Sequence, residues 1–214
     1  MSWLKLALSL VPAVIAVAYA STANSYESYI LATVGFYAMV GVGLNVLLGL
    51  TGQVSLGHVG FYAIGAYAVA ILTVDAGFGF WPALLAALVL TGIIGVLLAI
   101  PALRVTGPYL AMITIAFAFI VEHGAVEWRA LTGGANGMMN IPPIGIFDYQ
   151  FTELQTIYLV IAMTALTLFL YWRFADSAWG LAMRAVRDSE IAGQSLGLNP
   201  VMIRTAAFGL SVMA

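Results

Sequence analysis

The chain has 214 residues, of which 63% are hydrophobic and only 7% are charged, and its formal net charge is −2. A soluble domain carries about a quarter charged residues, so this composition excludes a water-soluble globular protein and indicates an integral membrane protein. Since each transmembrane helix needs about 20 residues, the length allows roughly seven spans with their loops. The absence of cysteine excludes disulfides and thiolate metal sites.

Long apolar runs predict an all-α polytopic membrane helix bundle that forms a single transmembrane domain over residues 1–214. Six full spans are predicted at 4–20, 29–50, 58–74, 82–100, 109–121 and 154–172, and a seventh begins near Pro200. The first run also fits a signal peptide, because Lys5 precedes it and Ala18-Tyr19-Ala20 fits a cleavage site. We favour a retained first helix, since an integral protein of this kind needs no separate export signal.

The positive charges predict the orientation in the membrane, because basic residues concentrate on the cytoplasmic side. With a cytoplasmic N-terminus, six of the seven basic residues fall inside and one, Arg129, falls outside. The inside residues are Lys5, Arg104, Arg173, Arg184, Arg187 and Arg204. The charged stretch 173–204 is therefore predicted to be cytoplasmic.

The uncharged segment 51–57, Thr-Gly-Gln-Val-Ser-Leu-Gly, separates two apolar runs. Two interpretations are open: a tight turn at the bilayer surface, or unwound backbone at membrane depth. Unwound backbone at that depth is tolerated only where protein buries it or a water-filled cavity adjoins it. Asn45 and His58 flank the segment, and polar residues within spans usually face the bundle interior, which slightly favours the break.

The stretch 173–204 has the pattern of two short helices. Trp179, Ala182, Met183 and Val186 form one apolar stripe, with Arg184, Arg187 and Asp188 off that stripe. Asp188 or Ser189 can cap a second helix that ends at Gly197, and Asn199 can cap the next span. Two functions fit such a pattern: a helix seated in a cleft of a partner protein, or an amphipathic helix lying on anionic lipid.

Four blocks of sequence resemble the permease subunits of branched-chain amino acid ABC importers. They are GLNVLLGLTGQVSLGHVGFYAIGAY at 43–67, RVTGPYLAMITIAF at 104–117, LTGGANG at 131–137 followed by Ile141-Pro142, and the segment 180–199. The second and third blocks are similar to the larger of the two paired permeases. The chain departs from the family because it stops within the helix after segment 180–199, so it resembles a C-terminally truncated permease.

The resemblance implies a role for residues 173–203 as the cytoplasmic coupling loop that docks on an ABC ATPase. The implied coupling residues are Arg184, Arg187, Asp188, Glu190, Ala192 and Gly197; Glu190-Ile-Ala192 and Gly197 match the family's Glu-Ala-Ala-x-x-x-Gly core imperfectly. The candidate translocation path is lined by Asn45, Gly52, Gln53, Ser55, Gly57 and His58. The implied partners are a second homologous permease, ATPase subunits, a periplasmic or extracellular substrate-binding protein and the bilayer of the bacterial inner (plasma) membrane.

No catalytic residue, cofactor, metal site or nucleic-acid partner is predicted. Ser55 and His58 lack an acidic partner for a triad, and no Walker-type Gly-x-x-x-x-Gly-Lys-Ser/Thr run occurs, so separate subunits would hydrolyse the ATP. Leucine, isoleucine and valine are the expected substrates, with urea or short amides as the alternative. A secondary transporter is disfavoured because no carboxylate lies in the middle of a predicted span. A third possibility is a membrane fragment or scaffold that transports nothing.

Overall fold

A computed structural model describes residues 3–102, 108–146 and 149–213 of the chain. Arg104, which enters the count of basic residues on the two sides of the membrane, lies outside these residues, as does the side chain of Lys5.

Helices dominate the described residues, which confirms the all-α prediction. They are α1 (Trp3–Ala20), α2 (Ser25–Asn45), α3 (His58–Val74), α4 (Phe80–Ala102), α5 (Pro108–Glu127), α6 (Arg129–Thr132), α7 (Glu153–Ala175), α8 (Ala178–Asp188), α9 (Glu190–Ser195) and α10 (Pro200–Ser211). A π-helix, Val46–Thr51, continues α2, and a short 3-10 helix, Gly134–Asn136, follows α6. Strands β1 (Gly145–Ile146) and β2 (Tyr149–Gln150) form an antiparallel hairpin in which Gly145 faces Gln150 and Ile146 faces Tyr149.

Four helical stretches within the described residues are long and apolar enough to cross a membrane: Ser25–Thr51, Phe80–Ala99, Tyr109–Glu127 and Glu153–Ala175. Val11–Ala20 of α1 and His58–Val74 are shorter apolar helices. The predicted order of six apolar helices followed by a seventh from Pro200 is confirmed. The fifth and sixth helices extend beyond their predicted ends, to Glu127 and Ala175.

Glycine allows the helices to approach closely. A Cβ added at Gly35 in α2 would lie 2.7 Å from Val160 Cγ1 in α7, and one added at Gly95 in α4 would lie 2.5 Å from Val212 Cγ2 after α10. Membrane helices associate by such close packing because lipid is as apolar as their side chains. The hydrophobic effect therefore does not drive the helices together. The high glycine content of the chain therefore has a structural cause at these two crossings.

The first helix is packed into the bundle. Ala20 is buried against Ile157 and Ile161 of α7. The preference for a retained helix over a cleaved signal peptide stays a prediction.

The main core lies where the π-helix meets α3, α8 and α10. Its members include Leu47, Phe61, Met183, Val186 and Phe208. The ring centroid of Phe61 lies 5.9 Å from that of Phe208 and 4.6 Å from that of Phe117 in α5. This core fixes the segment 51–57 and the coupling loop relative to each other.

The connection from α6 to α7 contains a cluster of turns. Gly133, Gly134 and Gly137 all adopt positive φ, at 77°, 64° and 69°. The indole Nε1 of Trp81 donates a hydrogen bond to the carbonyl of Gly145 at 3.1 Å, so the hairpin is fastened to the start of α4.

Candidate functional site: a broken span joined to the coupling loop

The segment 51–57 is a break between two helices. The π-helix ends at Thr51, Gly52 turns the chain with a left-handed φ of 70°, and the backbone stays non-helical until α3 begins at His58. A residue with a side chain rarely adopts that φ, so glycine suits the turn. The structure favours the predicted unwound segment over a simple surface turn.

Side chains along the break alternate between two environments. Thr51, Gln53 and Ser55 are buried, with exposed fractions of 4%, 7% and 5%, whereas Val54 and Leu56 are 41% and 56% exposed. Such alternation is expected of extended backbone, in which successive side chains point to opposite faces. The pattern here is polar inside and apolar outside, the reverse of a strand on the surface of a soluble protein.

The buried polar side chains contact one another and the neighbouring backbone. Thr51 Oγ1 donates to the carbonyl of Leu47 at 2.7 Å and lies 3.1 Å from the Gln53 side-chain amide. Ser55 Oγ lies 3.2 Å from His58 Nδ1. The other ring nitrogen of His58, Nε2, is buried and has no hydrogen-bond partner.

Helix α5 holds the break from one side. The amide of Leu56 donates to Thr114 Oγ1 at 3.0 Å, and the Thr114 side chain is fully buried. Gly57 lies so close to α5 that an added Cβ would be 2.4 Å from the Thr114 carbonyl oxygen. Thr114 lies within the sequence block 104–117 but was not predicted as a site residue, because nothing in the sequence shows which residue of α5 meets the break.

Five of the six predicted path residues lie together in the break or at its end. The sixth, Asn45, lies outside the break in α2. Gln53, Ser55, Gly57 and His58 face the interior of the bundle, and Gly52 lies at the exposed turn. Asn45 was expected to face the interior, but it is exposed at the end of α2. The reason is the helical register: Val46, Leu47 and Leu50 occupy the buried face and turn Asn45 away from it.

In the coupling loop, α8 begins with a Ser177 cap, whose Oγ accepts from the Gly180 amide at 3.4 Å. The predicted apolar stripe is partly wrong. Met183 and Val186 are buried in the main core, but Trp179 is 46% exposed. Gly180 is buried instead, against the end of α7. The approach is so close that an added Cβ would lie only 2.4 Å from the Ala175 carbonyl oxygen.

Helix α9 follows the predicted capping scheme. Ser189 is its cap, with Oγ 3.2 Å from the Ala192 amide. At the other end Gly197 has a φ of 78°, and the amides of Gly197 and Leu198 donate to the carbonyls of Gln194 and Gly193 at 2.9 and 3.1 Å. This pair of bonds is the Schellman motif. The predicted cap of the next helix is also present, since Asn199 Oδ1 accepts from the Met202 amide at 3.2 Å.

The back of α9 is fixed to the bundle. Glu190 forms an ion pair with Arg204 of α10 at 2.9 Å. Gly193 is buried and lies close to Val186 of α8.

The front of α9 is open. Ile191 and Leu196 are 80% and 76% exposed, and Ala192 is exposed between them. A short helix with a fixed back and an apolar front has the form of a docking element.

One charged residue of α8, Arg187, links the coupling loop to the π-helix that precedes the break, and Asp188 pairs with it. Nη1 of Arg187 donates to the carbonyl of Gly49 in the π-helix, and Asp188 Oδ1 lies 2.9 Å from Nε and 2.8 Å from Nη2 of the same guanidinium. Both residues were predicted to contact the ATPase, and nothing in the sequence indicates this link. Arg184, one turn earlier, is half-buried. Among the described residues, no group of three or more His, Cys, Asp or Glu side chains is arranged to hold a metal ion.

The sequence of the chain matches a known protein family. A family model described as the permease component of the branched-chain amino acid transport system matches residues 26–214. The chain belongs to this family.

Two curated relatives are more than a third identical to the chain over the residues that align. The high-affinity branched-chain amino acid transport system permease protein LivM of Salmonella typhimurium is 36% identical over 222 aligned residues, which cover 92% of this chain and 52% of the relative. LivM of Escherichia coli K12 is 37% identical over 199 residues, which cover 82% of this chain and 47% of the relative. The chain thus spans about half the length of the curated relatives it matches. No solved structure matches it significantly.

Proposed function

We propose that this chain is a permease subunit of an ATP-driven importer for branched-chain or related amino acids in the bacterial inner membrane. It would form the translocation path with a second, homologous permease, receive substrate from a periplasmic or extracellular binding protein, and rely on separate ATPase subunits for hydrolysis. Family membership and the LivM relatives support the substrate class. The observation that carries the coupling role is the open apolar front of α9 on an anchored helix.

The exposed apolar front of α9 favours docking on a partner protein. Ile191 and Leu196 keep most of their apolar surface uncovered. Burying a large aliphatic side chain is favourable by about 1.5–3 kcal/mol, so a complementary cleft gains affinity from both residues. The ion pair to Arg204 and the contact with Val186 hold α9 to the bundle, so a force applied to its front is passed on to α8 and α10.

For the translocation path, we propose that the exposed edge of the break faces the route taken by substrate. Its apolar side chains, Val54 and Leu56, suit the hydrocarbon side chains of leucine, isoleucine and valine. Lipid is a poor neighbour for this edge, because unwound backbone carries N–H and C=O groups that hydrocarbon leaves unsatisfied. In this proposal the buried polar side chains, Gln53, Ser55 and His58, anchor the segment to the bundle and do not line the route.

The function is tested by ATP-dependent uptake in proteoliposomes that hold this chain with its partner permease and ATPases, supplied with the binding protein. Leucine, isoleucine and valine should accumulate only when ATP is present inside and the ATPases are included. Urea and a short amide, tested as competitors, separate the two substrate classes. No ATP-dependent uptake from the complete assembly would exclude the importer function in favour of a non-transporting scaffold.

The docking surface has its own test. Ile191→Asp and Leu196→Asp place charge on the front of α9, and each should reduce recovery of the ATPases with the permease. Ser195→Asp is the matched control beside them. Full ATPase recovery with both variants, and loss of binding to anionic vesicles instead, would support the lipid-surface function of the loop.

A further inference from the structure

We infer that Arg187 is a positioning residue that latches the coupling loop to the broken span. This inference rests on the proposed function and gives Arg187 a role different from ATPase contact. Its guanidinium caps the end of the π-helix, and its aliphatic stem covers the turn at Gly52 from which the break begins.

The end of the π-helix has a carbonyl that needs a donor. The last carbonyls of any helix lack partners within that helix. Here the amides of Gly52 and Gln53 donate to the carbonyls of Leu48 and Leu47, at 3.2 and 3.1 Å. The next carbonyl in order, that of Gly49, accepts from Arg187. A charged donor forms a stronger hydrogen bond than a neutral one, so this contact closes the helix end firmly.

The stem of Arg187 adds a steric contact to the hydrogen bond. Its Cγ lies 3.0 Å from the position that a Cβ on Gly52 would occupy. A glycine at the turn therefore permits both the left-handed backbone and the close approach of the arginine. Helix α8 and the turn at Gly52 therefore meet through the side chain of Arg187.

The donors of the guanidinium have partners within this chain. Nη1 faces the Gly49 carbonyl, while Nε and Nη2 face Asp188. The Asp188 carboxylate thereby fixes the plane of the guanidinium, although the side chains of Arg187 and Asp188 are 37% and 67% exposed. Arg187 and Asp188 act together as a joint inside the subunit.

The latch completes a path of direct contacts from the docking surface to the break. Gly193 of α9 contacts Val186 of α8, and Arg187, the next residue, holds Gly49. A π-helical turn contains more residues than an α-helical turn. Release of the latch would let 46–51 return to α-helical register and rotate the residues that follow. Movement of α9 that releases the latch would therefore reorient the buried polar side chains of Thr51, Gln53 and Ser55.

The first experiment measures coupling in the assembled importer. Arg187→Ala should leave ATPase recovery unchanged and lower the amount of substrate imported per ATP hydrolysed several-fold. Arg187→Lys keeps one charged donor and should restore part of that ratio. Arg173→Ala removes the same charge from an exposed position at the end of α7 and should match the parent. A parental transport-to-hydrolysis ratio in Arg187→Ala would overturn the latch.

The second experiment needs neither substrate nor ATPases, so it separates failure of the latch from failure of the proposed function. Ser55→Cys places a single thiol in a buried position of a chain that has no native cysteine. In membranes, a permeant maleimide should label this thiol slowly in the parent and several-fold faster with Arg187→Ala. Asp188→Asn should give a smaller increase, and Arg184→Ala should give none. Equal labelling rates in the parent and Arg187→Ala would contradict the inference.

Discussion

Gly57 and Gly52 flank the break but need glycine for different reasons. An added Cβ at Gly57 meets a backbone carbonyl at 2.4 Å, whereas one at Gly52 meets the movable side chain of Arg187 at 3.0 Å. The backbone obstacle cannot move without displacing α5. At Gly52 the main cost is the left-handed φ, which is about 1–2 kcal/mol for a residue with a Cβ.

We therefore expect Gly57→Ala to lower both uptake and the thermal stability of the detergent-solubilised protein more than Gly52→Ala does. The larger Gly57→Val should increase the loss. Gly41→Ala is the control, because a Cβ there has no neighbour within 4 Å. Equal stability of Gly57→Ala and Gly41→Ala would show that α5 yields easily at this contact.

At Gly197 the cost of the backbone conformation can be measured without any steric contact. Its φ is 78°, and an added Cβ would have no neighbour within 4 Å. Gly197→Ala should therefore cost about 1–2 kcal/mol through the backbone alone. Gly197→Val should cost more because of β-branching, and should reduce ATPase recovery further. The measurement is recovery of the ATPases with each variant, and full recovery with the valine would remove this turn from the docking element.

At the scale of residues, features that depend on neighbours in the sequence were predicted better than contacts between distant parts of the chain. The capping residues Ser189 and Asn199 and the turn at Gly197 depend on hydrogen bonds within a few residues, and the sequence shows those directly. Thr114 and the Arg187–Gly49 contact join elements far apart in the chain. Asn45 was misplaced because its exposure depends on which face of α2 the other helices cover.

At the scale of elements, a single threonine ties α5 to the break. Thr114 Oγ1 accepts from the Leu56 amide at 3.0 Å and donates to the Ala111 carbonyl at 2.9 Å. Thr114→Val keeps the shape of the side chain but leaves a polar backbone group without its partner. The expected cost is about 1–3 kcal/mol of stability.

Thr114→Ser retains the hydroxyl and is the matched control. Thermal unfolding in detergent should separate the two variants, with valine less stable than serine. Serine loses a buried methyl group, so a serine variant that is less stable than the valine variant would mean that packing outweighs the hydrogen bond at this position.

Hydropathy predicted the helices well, because each span must satisfy its backbone internally in lipid and must be long and apolar to do so. The burial of alternate polar side chains along 51–57 was not predicted, because a period of two identifies two faces of a segment without showing which of them is buried. The same limit explains the stripe of α8, where a close contact of Gly180 with α7 turned Trp179 outward.

At the scale of the whole molecule, the fold places two loops at opposite ends of α7. The segment from α6 to β2 precedes Glu153, and the coupling loop follows Ala175. If α7 crosses the bilayer, the two loops lie on opposite sides. The charge bias of the sequence predicts that the coupling loop lies in the cytoplasm, because Arg173, Arg184 and Arg187 lie within it and Arg204 follows it directly.

This orientation predicts opposite labelling of two exposed positions by a membrane-impermeant thiol reagent. Met139 is 67% exposed in the first loop, and Ile191 is 80% exposed in the coupling loop. In intact cells that express the chain without the ATPases, Met139→Cys should react at once and Ile191→Cys only after the membrane is permeabilised. The chain has no native cysteine, so no other thiol of the protein contributes to the signal. Labelling of Ile191→Cys but not Met139→Cys in intact cells would place the coupling loop outside, where no ATPase could reach it.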